Sequence, residues 1–67
     1  MEMQQEIEKM ENELMKTYPL PLKLFIKMRQ KTKEYAKREG LSESEEERLY
    51  FGELRLLDIY SGEVKLK

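Results

Sequence analysis

No cysteine and no histidine occur anywhere in the chain. Without cysteine there is no disulfide and no thiolate. Without histidine the commonest ligand of zinc, copper and iron is gone. The Ser–His and Cys–His pairs that activate nucleophiles are excluded on the same ground. Glycine is sparse and scattered, at Gly40, Gly52 and Gly62, so no glycine-rich phosphate loop can form. The longest apolar stretch, around Leu20 to Met28, is broken by Pro21, Lys23 and Lys27 and is too short and charged to span a bilayer. From the polar, acidic residues Met1 to Glu6 no secretory segment is expected. Neither a cofactor nor a metal nor a membrane partner is expected, and the chain is not expected to be an enzyme. Cysteine absence points to a reducing, cytoplasmic setting.

At 67 residues the chain makes one domain, residues 1–67. Domains this small bury only about 60% of their unfolded surface and usually need a staple. With disulfides and the usual metals removed, efficient helix packing or a second chain must supply it. Self-association is therefore an expectation before any motif is read.

Charge is abundant: 40% of residues are charged, yet the net charge is only −1. Its layout is acidic, basic, acidic. Residues 1–17 carry five glutamates against Lys9 and Lys16. Residues 22–39 carry seven cations against Glu34 and Glu39, and residues 40–67 carry seven acids against Arg48, Arg55, Lys65 and Lys67. High charge near balance favours internal pairing over disorder.

Hydrophobic periodicity predicts an all-α fold, a small three-helix bundle with helices at about 2–17, 21–39 and 43–59. Met3, Ile7, Met10 and Leu14 keep one stripe at helical spacing. Tyr18-Pro19-Leu20-Pro21 ends that helix, and Pro21 suits the start of the next. In the second, Leu24, Phe25, Met28, Thr32, Tyr35 and Ala36 gather on one side, opposite a basic stripe. Gly40 is placed to close it in the left-handed conformation. Ser42-Glu43-Ser44-Glu45 is a capping box that starts the third. Beyond it, Tyr50, Leu54 and Leu57 make one helical row, while Leu49, Leu56 and Tyr60 make another. The alternative for residues 53–67 is a β-hairpin, with Ser61-Gly62 as the turn and Val64 and Leu66 alternating with charge. The expected core is Ile7, Met10, Leu14, Phe25, Met28, Leu49, Leu54 and Leu57.

Three features remain as sites. Glu43, Glu45, Glu46 and Glu47 form the densest acid cluster; at a helix start they read as a solvated first turn, favourable to the helix dipole. The basic stripe Lys23, Lys27, Lys31, Lys37 and Arg38 can follow a polyanion or an acidic partner, or be neutralised by the acidic blocks. Finally, Tyr50, Phe51, Leu56, Ile59 and Tyr60 are more large apolar side chains than one thin bundle can cover, which suggests a protein partner.

Ala36-Lys37-Arg38-Glu39-Gly40-Leu41-Ser42 resembles the turn of a helix-turn-helix DNA-binding motif, with a small residue, glycine four positions on, an aliphatic residue and a helix-starting polar residue. The resemblance covers about fourteen residues, to Leu49, and implies a tight inter-helix turn. It departs in the next helix, which opens Glu43-Ser44-Glu45-Glu46-Glu47, a run that phosphates repel. The expected function is thus a non-enzymatic protein–protein interaction module: an inhibitor, adaptor or assembly subunit that self-associates or binds a larger protein. The second reading is a nucleic-acid-binding accessory or regulator using the basic stripe.

Overall fold

A computed structural model describes the backbone of residues 3–66 and the side chains of residues 3–63. It contains α1 (Met3–Thr17), α2 (Leu22–Glu39) and α3 (Glu43–Leu66), with no strand among the described residues. The three-helix bundle read from periodicity is the observed architecture.

Local chemistry sets each boundary. Pro21 is the extended residue preceding α2, with φ −75° and ψ 146°, one position earlier than its expected place inside the helix. Gly40 closes α2 at φ 70°, in the left-handed region that glycine enters without a Cβ penalty. Its N–H reaches the Lys37 carbonyl and the Leu41 N–H reaches that of Ala36 at 2.8 Å, so carbonyls of the last turn are satisfied. The capping box closes as the sequence implies. The Ser42 backbone N–H donates to Glu45 Oε1 at 2.9 Å, and the Glu45 N–H donates to Ser42 Oγ at 3.2 Å.

The third helix runs further than its periodicity suggested. It continues through Ser61-Gly62 to Leu66, so the hairpin alternative for 53–67 is overturned. Tertiary contact explains the outcome. Tyr18, just past α1, donates its hydroxyl to Asp58 Oδ1 at 2.9 Å, and a Cβ on Gly62 would meet that hydroxyl at 3.3 Å. As a helix the segment keeps packing on α1; a lone two-stranded hairpin would have no third strand to stabilise it. The side chains of Val64 and Leu66, which suggested a return strand, lie outside the described residues.

Twenty-four residues of helix extend about 36 Å, close to the 39 Å length of the whole molecule. α3 is therefore the spine. Both α1 and α2 pack along it, and they contact each other more sparingly. The four-residue and three-residue connections between helices fold the chain back at each joint. The buried core is Ile7, Leu14, Phe25, Tyr50 and Leu54, with Met10, Met28, Phe51 and Leu57 packed at its margin. Leu54 is fully buried. Of the expected core, Met10, Met28, Leu49 and Leu57 are half-buried, because two short helices on one spine cover it from one side only.

Candidate interaction surfaces

The residues of α3 separate into two rows. Tyr50, Leu54 and Leu57 turn inward onto α1 and α2. Leu56 and Tyr60 turn outward with Ile59, and these three are 66%, 66% and 59% exposed. Taking about 100° per residue, Leu49 and Gly52 share that outward side, which is diametrically opposite Leu54. The helix is thus apolar on both faces, and the bundle uses only one.

Tyr50 and Phe51 do not join this surface. Tyr50 was expected among partner-binding residues, but it is only 3% exposed and belongs to the core. Phe51 is half-buried against the same core. The reason is polar as much as apolar. The Tyr50 hydroxyl donates to Glu11 Oε2, and it also approaches the Phe25 carbonyl at 3.5 Å. Arg29 Nε contacts the same Glu11 oxygen at 3.4 Å, and the guanidinium lies 4.9 Å from the centre of the Tyr50 ring. One residue from each helix therefore meets at a single polar junction. Burial first, and then the hydrogen bond to Glu11, push the Tyr50 phenol above the usual tyrosine range of about 10. The hydrogen bond to Asp58 raises that of Tyr18 in the same direction. Thr32 completes the polar ties: its hydroxyl engages the Met28 carbonyl at 2.9 Å and Glu53 Oε1 at 3.1 Å. A buried hydroxyl paired in this way carries little desolvation penalty.

The basic stripe is a real surface feature. Lys23, Lys27, Lys31, Lys37 and Arg38 are all exposed along α2. Among the described residues the ion pair is Arg29 with Glu11, so the acidic blocks do not neutralise the stripe by direct pairing. Arg38 instead lies 5.8 Å from the centre of the Tyr35 ring. Among the described residues no group of three potential metal ligands converges. No described helix is long and apolar enough to cross a membrane.

A cleft of about 260 Å³ lies between the helices, with Ile7, Ile26 and Tyr50 on its walls, Arg29 and Lys33 from α2, and Glu46 and Glu47 from α3 at its rim. It is smaller than the ligand pockets of about 300–1,000 Å³ typical of small-molecule sites. Sequence reasoning did not find it, because it is made by residues on three helices whose juxtaposition no local pattern encodes. Leu49, expected in the core, lies instead on the outward side of α3, half-buried, beside the exposed Gly52. No family model, curated protein or solved structure matches the chain.

Proposed function

We propose that this chain is a non-enzymatic protein–protein interaction module acting through the outward face of α3. The observation that carries the reading is the exposure of Leu56, Ile59 and Tyr60, at 66%, 59% and 66%, on one continuous helical face. Single exposed apolar residues are ordinary; a contiguous group that includes an aromatic marks an interaction surface. Aromatic residues at the centre of such patches carry most of an interface's binding energy. The missing histidine and cysteine support the non-enzymatic part, since they remove the usual bases and nucleophiles.

The test uses a photoreactive benzophenone amino acid in place of Ile59, and separately in place of Lys27, in cells that make the protein naturally. A discrete adduct from position 59 that Leu56→Asp abolishes is the expected result. Equal labelling from both positions, or none from either, refutes the reading.

The exposed cations Lys23, Lys27, Lys31, Lys37 and Arg38 of α2, which form no ion pair among the described residues, support a second reading, a polyanion-binding accessory protein. Its signature is an affinity for nucleic acid that falls steeply between low and moderate salt. The absence of binding at low salt removes it.

A further inference from the structure

The outward face of α3 has a finer pattern than a patch. Glu45, Leu49, Gly52, Leu56, Ile59 and Glu63 follow one another at alternating steps of four and three. That is the heptad of a coiled-coil seam, with Leu49, Leu56 and Glu63 at one seam position and Glu45, Gly52 and Ile59 at the other. The inward row, Tyr50, Leu54 and Leu57, then occupies the positions farthest from the seam. α1 and α2 thus pack behind α3; along the seam Leu56 and Ile59 stand exposed, while Leu49 is half-buried.

We infer that α3 pairs in parallel and in register with α3 of a second copy of this chain. The inference rests on reading that face as an interface and names its occupant. Charge complementarity carries it. Arg48 and Arg55 flank the seam on one side, and Glu53 and Tyr60 flank it on the other. A parallel pair sets each residue of the arginine flank against the residue five positions further along the facing helix. Arg48 then meets Glu53 of the second copy, and Arg55 meets the ring of Tyr60. By symmetry each contact forms twice. An antiparallel pair about the same centre sets Arg55 against Arg55 and Glu53 against Glu53. Both arrangements place the like charges of Glu45 and Glu63 at the ends of the seam, so the flanks decide the orientation. Glu53 Oε1 accepts the Thr32 hydroxyl within its own chain, which leaves the carboxylate a second oxygen for Arg48.

Two further observations agree. Gly52 sits inside a 24-residue helix, where glycine is a poor choice, and beyond its chain neighbours and the local helix backbone no atom lies within 4 Å of where its Cβ would be. Nothing within the chain requires glycine there; a facing helix at that layer does, because the missing side chain lets the backbones approach. The apolar seam is also too short to hold two free helices together, since isolated coiled coils need three or four heptads. Here α3 is already folded on α1 and α2, so pairing carries no helix-forming cost.

The chain has no native cysteine, so single-cysteine variants report orientation cleanly. Sedimentation equilibrium of the full chain should show a dimer that dissociates on dilution. Ile59→Asp should raise its dissociation constant on the order of 100-fold, and Arg48→Glu roughly tenfold. Under mild oxidation Leu49→Cys and Ile59→Cys should each cross-link to itself. Cross-linking only when the two variants are mixed overturns the inference in favour of an antiparallel pair. A monomer at all concentrations, with no cross-link, overturns it outright. The benzophenone experiment separates the two levels. An adduct of foreign mass from position 59 keeps the interface and overturns the second copy as its occupant, whereas no adduct of any mass overturns both.

Discussion

Alanine placed at each of the three glycines should move stability in three different ways, although the chemical change is the same. At Gly52 the helix gains a better former and the added methyl meets nothing within 4 Å. The expected gain is about 0.5–1 kcal/mol. At Gly40 the backbone has φ 70°, where an L-residue is strained by about 1–2 kcal/mol, offset in part by the stiffer unfolded chain. A net loss of about 1 kcal/mol follows. At Gly62 the new Cβ would stand 3.3 Å from the Tyr18 hydroxyl, which is hydrogen-bonded to Asp58. The helix gain of about 1 kcal/mol is then set against a hydrogen bond worth about as much, and the net change should be near zero. The assay is thermal and urea unfolding followed by circular dichroism, in an Ile59→Asp background so that association does not contribute. In a domain of this size 1 kcal/mol moves Tm by about 4–8 °C, well within measurement. Destabilisation by Gly52→Ala in that background would show that the outward face of α3 is covered within the monomer. A neutral Gly40→Ala would refute the left-handed cap.

Three other perturbations probe the rest of the molecule. Leu54→Ala empties the most buried position and should cost about 2–5 kcal/mol, comparable to the whole stability expected of so small a domain, leaving a largely unfolded chain by circular dichroism. Ser42→Ala removes one arm of the capping box and should cost about 1 kcal/mol in urea unfolding, with association unchanged. Alkaline pH should destabilise the fold through Tyr50. Its phenol is raised in the folded state, so the contribution is fully present below the unfolded value of about 10 and is lost as pH rises beyond it. Ultraviolet titration should show a tyrosine that ionises late, together with unfolding, and Tyr50→Phe should remove that step.

The existence and order of the helices were legible because each is signalled locally. Gly40 and the Ser42–Glu45 box need only neighbouring backbone to act, and both act as their residue types imply. The exposure of the α2 cations followed from periodicity for the same reason. Residues 53–67 were ambiguous because Leu54 to Tyr60 suits a strand as well as a helix until something packs against it. Tyr18, forty positions away in sequence from Asp58, supplied that contact.

The two rows of α3 were also visible in spacing, but spacing alone does not say which row faces the core. That was decided by tertiary structure, through the junction of Glu11, Arg29 and Tyr50, which draws the tyrosine inward and leaves Leu56, Ile59 and Tyr60 outside. The sequence by itself thus determined where the three helices start, where the first two stop and how their charges are arranged, because these depend on short-range sterics and hydrogen bonding. Only the packed structure decided which apolar face is spent on the core and which remains for a partner, because burial belongs to pairs of elements and not to either one alone.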